Sequence, residues 1–189
     1  MRIGISGDEG SFSEQAAKRY TAKANITAQF VYLIDMENVL AALQAEKIDL
    51  GIFPVVNLQG GLVKMAFTAM GKYFFQFIDE FWMEINQCLL AKSGTIHQSI
   101  NKIVSHPQGL AQCKGYLQNH FPDATLQTWE DTAKAARDLA DGILETNVAV
   151  IAPENCAKLY GLTLLEKGIE DSKPNLTAFI VVRGNHAND

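Results

Sequence analysis

Asn175-Leu176-Thr177-Ala178-Phe179-Ile180-Val181-Val182 sets the topology of this chain. From Ala178 onward it is an unbroken apolar run, short and rich in β-branched residues, which reads as a strand buried on both faces. Such a strand must pair inside a sheet, and its leading end then faces the end of that sheet. The run lies near the last residue, so the chain must return to a core begun elsewhere. Thr177, with a strand on one side and a loop on the other, puts a hydroxyl where a defined contact can be made.

Upstream, the pattern alternates between strands and helices. Arg2–Ser6 reads as a strand and Gly7–Gly10 as a turn. Ser11-Phe12-Ser13-Glu14 fits a capping box that opens a helix through Ala16, Ala17 and Tyr20. Gln29–Leu33 is a second strand, and Asp35 can cap a helix whose apolar face is Met36, Val39, Leu40 and Leu43. Asp49–Val56 is a nearly continuous apolar strand, as a parallel sheet covered on both faces requires. Asn57–Gly61 reads as a loop before a helix over Leu62–Met70. Phe74–Ile78 and Met83–Ala91 read as two strands separated at Asp79 and Glu80, where the chain crosses to a second lobe.

That second lobe repeats the theme. Lys102–Ser105 is a strand, and His106-Pro107-Gln108-Gly109 turns into one helix through Leu110, Cys113 and Leu117. Leu126–Trp129 is a strand, and Asp131 or Thr132 caps a helix through Leu139. Val148–Ala152 is a strand, Pro153 begins a helix that Gly161 stops, and Gly168–Pro174 leads back. The reading is an α/β chain of two lobes, about 1–78 with 172–189 and about 79–171. A cleft between two such lobes is a common ligand site.

Composition excludes several functions. Nearly half of the 189 residues are hydrophobic, so a sizeable core is available. The net charge of −5 is spread without a basic stripe, which argues against nucleic acid. No apolar run approaches the roughly 18–20 residues of a membrane span, and Met1-Arg2-Ile3 is no signal core. Cys88, Cys113 and Cys156 are odd in number and widely spaced, which reads as buried free thiols in a reducing cytoplasm. His97, His106, His120 and His186 are scattered, so no metal-ligand spacing exists.

Four strand-to-helix turns can face the cleft: Gly10–Ser13, Asn57–Gly61, Ser105–Gly109 and Asp131-Thr132. Helix N-termini carry unpaired donors and partial positive charge, so together they suit a small dicarboxylate. Singly, each is an ordinary cap. His106 can serve as an acid, but a ring that fixes the turn before Pro107 is the simpler reading. Asp79, Glu80 and Glu84 read as a solvated crossover. Phe74, Phe75, Phe77, Phe81 and Trp82 read as core and interface, with an exposed half that can support a dimer. Thr177 alone is a weak acid and a weak base, suited to positioning and hydrogen-bond donation.

Taken in order, these segments resemble one family. Gly10-Ser11-Phe12-Ser13-Glu14-Gln15-Ala16-Ala17 resembles the opening motif of the prephenate dehydratases. Ser105-His106-Pro107-Gln108-Gly109 resembles their Ser-His-Pro-Gln segment. Tyr160-Gly161-Leu162, Ile169-Glu170-Asp171 and Asn175–Phe179 resemble their C-terminal catalytic segment. The resemblance covers almost the whole chain. It implies a two-lobed fold like the type 2 periplasmic-binding proteins, with the active site in the interlobe cleft, usually as a homodimer. It implies conversion of prephenate, or a related cyclohexadienyl carboxylate, to phenylpyruvate with loss of water and carbon dioxide, without a cofactor. Thr177 takes the catalytic role by this resemblance. Ser11, Phe12, Ser13, Asn57, Gly61, Ser105, His106, Gln108, Thr132 and Phe179 become substrate-binding residues.

The chain departs from the family pattern. The family's Thr-Arg-Phe reads Thr177-Ala178-Phe179, and its Pro-Ile-Glu-Asn-Ser reads Pro54-Val55-Val56-Asn57-Leu58. Its His-Cys-Leu-Leu reads Gln87-Cys88-Leu89-Leu90, and a Ser-Thr pair reads Asp131-Thr132. Losing a cation from the cleft would cost a charge-assisted contact of about 1.5–3 kcal/mol. Two other readings follow from these changes: a catalytically silent module that binds small carboxylates, or an enzyme that decarboxylates prephenate without aromatising it. Family members usually carry a phenylalanine-binding ACT domain after the catalytic segment, or a chorismate mutase helix before it. Neither is expected within these 189 residues.

Overall fold

The computed structural model describes residues 1–185. It divides into two compact units, Met1–Glu84 with the segment from Leu176 onward, and Ile85–Asn175. The boundaries thus fall at 84/85 and 175/176, not near 78 and 172.

Unit 1 is built on a sheet of order β2-β1-β3-β11-β5 (Gln29–Tyr32, Arg2–Ile5, Leu50–Asn57, Leu176–Gly184, Phe75–Glu84), with β4 (Gly61–Leu62) paired to β3. β1 runs parallel to β2 and β3, whereas β11 is antiparallel to both β3 and β5. The terminal strand therefore returns to the centre of the first sheet. Val39, Leu40 and Leu43 of α2 (Met36–Gln44) and Ala66 and Ala69 of α3 (Lys64–Met70) pack with Phe53, Ile180 and Val182. Gly51 permits this approach, since a Cβ there would lie 2.6 Å from Val39 Cγ1. Pro54 is tolerated in β3 because β1 has already ended opposite Ile52 and the register with β11 shifts between Ala178 and Phe179.

Phe75–Glu84 is one strand, not two broken at Asp79 and Glu80. It is the edge strand, so charged side chains are admitted, and the long β11 pairs it throughout.

Unit 2 is a sheet of order β10-β6-β9-β7-β8 (Thr163–Lys167, Cys88–Ala91, Val148–Ala152, Lys102–Ser105, Thr125–Thr128). β7, β8 and β9 are parallel, and β6 is antiparallel to β9 and β10. β9 is apolar at every position because both faces are covered. Val148 and Val150 meet Ala133, Ala136 and Leu139 of α6 (Thr132–Ala140). Ala149 and Ile151 meet the Leu110, Cys113 and Leu117 side. That side is two helices, α4 (Pro107–Gln112) and α5 (Lys114–His120), because Cys113 leaves helical geometry at φ −112°. The edge strand β10 gave no clear sequence signal: Thr-Leu-Leu-Glu-Lys is short and half exposed.

Candidate active site

In unit 1, Thr177 and Asn57 lie directly opposite one another across β11 and β3. Both are buried, and Asn57 Nδ2 donates to Thr177 Oγ1 at 2.8 Å and to the Leu176 carbonyl at 3.2 Å. Asn57 Oδ1 accepts from the N–H groups of Gln59 and Gly60 at 3.0 and 2.7 Å, which fixes which end of the amide faces the threonine. The Thr177 oxygen is therefore an acceptor toward Asn57, and its own hydrogen is left to donate elsewhere. Such a relay strengthens the outgoing bond.

Asn57–Gly61 is a hairpin turn into β4, not a helix start, which corrects the expectation for that loop. The Asn57 side chain makes the turn itself, Gly61 adopts φ +71°, and α3 begins at Lys64 without a side-chain cap. Leu58 is exposed.

The first turn follows its sequence reading with one change. Ser11 caps α1 (Phe12–Ala24) by accepting from Glu14 N–H at 3.3 Å, while Glu14 Oε2 accepts from Gly10 N–H rather than from Ser11. Burial works to raise the Glu14 pKa, but hydrogen bonds from Lys18, Tyr32 and Gly10 together hold it below its ordinary value. Ser13 is buried with its Oγ 3.3 Å from Ser6 Oγ, and Phe12 is half-buried. Phe179 stacks on Phe81 at 6.0 Å, and Phe81 on Tyr20 of α1 at 6.2 Å.

In unit 2, Ser105 is fully buried and donates to the Ile151 carbonyl at 2.7 Å, which ties β7 to β9. Gly109 accommodates that hydroxyl, since a Cβ there would lie 2.7 Å from it. His106 caps α4, its Nδ1 accepting from Gln108 N–H at 3.2 Å, and burial lowers its pKa. A neutral ring that fixes the turn is what this geometry needs. Gln108 is half-buried in the same turn. Thr132 opens α6 behind Asp131, whose carboxylate accepts from Lys134 N–H at 2.9 Å. The charge at Asp131 is thus used by the helix. Among the described residues no three His, Cys, Asp or Glu side chains are grouped to hold a metal ion.

A further polar cluster in unit 2 was not singled out from the sequence. Gln87 Nε2 donates to Gln112 Oε1 at 2.9 Å, and Asn175 Nδ2 donates to the same oxygen at 3.2 Å and to the Ile85 carbonyl at 3.1 Å. Only the Asn175 position, two residues before Thr177, hinted at it.

The family model for prephenate dehydratase matches residues 3–187. The chain belongs to the prephenate dehydratase family. It is 31% identical over 182 residues to an arogenate dehydratase/prephenate dehydratase of Arabidopsis thaliana, covering 96% of this chain and 43% of that protein. It thus spans less than half the length of that relative. The crystal structure of an Arthrobacter aurescens prephenate dehydratase in complex with L-Phe has TM-score 0.85 at 24% identity, covering 98% of this chain and 61% of that one. A periplasmic substrate-binding protein of an ABC transporter from Coxiella burnetii has TM-score 0.55 at 19% identity, covering 100% and 87%. These likenesses give the fold, which is that of the type 2 periplasmic-binding proteins.

Two of the departures from the prephenate dehydratase motifs are one structural feature. Ala178, where the family has arginine, lies directly opposite Val56, where it has glutamate. β11 is regular here, so Ala178 shares its face with Ile180 and Val182, and Thr177 shares the opposite face with Phe179. The missing positive charge therefore belongs to the side of the sheet away from the Thr177 hydroxyl.

Proposed function

We propose that this chain is a prephenate dehydratase-like lyase, converting prephenate to phenylpyruvate with loss of water and carbon dioxide. The observation that carries this reading is the Asn57–Thr177 hydrogen bond at 2.8 Å, in a chain of this family, because it turns the threonine into a held donor. In the reaction the bond to the ring carboxylate breaks and its electron pair moves into the ring. The bond from the ring to its hydroxyl oxygen then breaks, and that oxygen leaves as water after taking up a proton. Aromaticity supplies the driving force. Thr177 donates a hydrogen bond to the departing oxygen, and such positioned donors stabilise developing charge. No cofactor takes part on this reading.

Ser11, Phe12, Ser13, Asn57, Gly61 and Phe179 of unit 1, and Ser105, His106, Gln108 and Thr132 of unit 2, are proposed as the binding residues. Ser105 acts there by holding β7 in place, because its hydrogen is committed to Ile151. The chain is proposed to work in the cytoplasm as a homodimer, with the edge strand β5 and its exposed Phe77, Ile78 and Trp82 available to a second copy.

The test is product identity. Prephenate incubated with the protein at pH 7.5 is expected to yield phenylpyruvate, read by its alkaline absorbance, with one equivalent of carbon dioxide. Carbon dioxide without phenylpyruvate would instead indicate decarboxylation alone, and thermal stabilisation by prephenate with no product would indicate a silent binding module.

A further inference from the structure

In unit 2, Ile169-Glu170-Asp171 lies outside the proposed binding residues, yet it holds the helix pair that follows two of them. Ile169 packs with Leu110, Cys113 and Leu117, and Glu170 Oε2 accepts from the Gln87 N–H at 2.9 Å. Asp171 meets the break between α4 and α5. Its Oδ2 accepts from the Gly115 N–H at 2.7 Å and its Oδ1 from the Tyr116 N–H at 2.9 Å, while its own N–H donates to the Gln112 carbonyl at 2.8 Å. Gly115 leaves room for the carboxylate, since a Cβ there would lie 3.1 Å from Oδ1.

These are the groups that one continuous helix would use. A helix running through Leu110, Cys113 and Leu117 would bond the Gly115 N–H to the Ala111 carbonyl and the Tyr116 N–H to the Gln112 carbonyl. Asp171 takes both donors and the second acceptor. The Cys113 side chain makes no capping hydrogen bond to α5, so the carboxylate from 171 supplies the acceptors that a local Asp or Ser would give. The break frees α4 from the axis of α5. α4 then lies so close to its neighbours that a Cβ on Gly109 would be 2.7 Å from Ser105 Oγ and 3.6 Å from Thr132 Cγ2. Any shift of α4 is therefore a shift against these two residues.

We propose that Asp171 is a positioning residue. It interrupts the helix at Cys113 and so sets α4, and with it the His106–Gln108 turn, against Ser105 and Thr132. This rests on the dehydratase reading where it assigns those residues to the ligand.

The test compares wild type, Asp171→Ala and Asp171→Asn by the backbone 13C NMR shifts of Gln112–Gly115 and by steady-state kinetics on prephenate. Wild type is expected to show non-helical shifts at Cys113. Asp171→Ala is expected to move them to helical values and to raise KM at least about fivefold while kcat falls less than about twofold, because binding is weakened in the ground state and the transition state alike. Asp171→Asn, which keeps one acceptor oxygen, is expected to lie between the two, and it decides by the same readouts if Asp171→Ala does not fold. A cap that serves stability alone would lower the thermal midpoint and leave the Cys113 shifts and KM at their wild-type values. Either readout left unchanged overturns the proposal. If wild-type protein leaves prephenate untouched, the dehydratase reading fails, and the Cys113 shifts still decide whether Asp171 makes the break.

Discussion

Thr177 owes the fixed orientation of its hydroxyl to Asn57. A free threonine hydroxyl rotates and donates to whatever is nearest, whereas this one is pinned by an amide whose other end closes a turn. His106 shows a second residue-scale effect. Burial keeps its pKa below the ordinary value, so the folded chain binds that proton less readily than the unfolded one. Its contribution to stability is complete above the unfolded value of about 6.5 and is lost as pH falls from there through the folded value. Glu14, with a depressed pKa, adds a loss only at more acidic pH, as its folded value is crossed. His106→Asn, which can still accept from Gln108, should therefore give urea midpoints that change less between pH 7.5 and 5.5 than wild type. Equal slopes would contradict this account of the ring.

At the scale of elements, the decisive fact is the alternation along β11. The apolar run 178–182 gave the central strand, and its lead-in gave Thr177, because a strand buried on both faces needs no other signal. The partner register was not legible. Sequence alone could not say that Ala178 faces Val56, so the lost arginine looked like a lost ligand for the substrate. The register sets Ala178 directly opposite Val56, so the two departures are neighbours and both are apolar here. Ala178→Arg alone should then destabilise by about 2 kcal/mol, since a buried charge meets no carboxylate. Adding Val56→Glu should recover at least about 0.5 kcal/mol as coupling in a double-mutant cycle of thermal or urea unfolding. Strict additivity would mean that the two positions do not act as a pair. β5 and β10 were misread or missed for the opposite reason: edge strands carry mixed, half-exposed residues, and neither period stands out. The Gln87–Gln112–Asn175 cluster was missed because its hydrogen bonds join residues 25 and 63 positions apart.

At the scale of the molecule, each unit is closed by its own sheet and core, and the terminal strand completes the first. All three cysteines are buried outside any disulfide and pack in the cores of the second unit, and burial raises the pKa of Cys88 and Cys113. Among the described residues no helix is long and apolar enough to cross a membrane. The chain matches less than half of its Arabidopsis relative, and on the proposed dehydratase reading Thr177 is the donor to the departing oxygen. The direct measurement is kcat on prephenate and arogenate for wild type, Thr177→Ala and Thr177→Ser, each checked for an unchanged thermal midpoint. Loss of the donor should lower kcat by about 10²–10³-fold, with serine retaining most of the activity. An active wild type whose Thr177→Ala variant turns over equally fast would contradict the account.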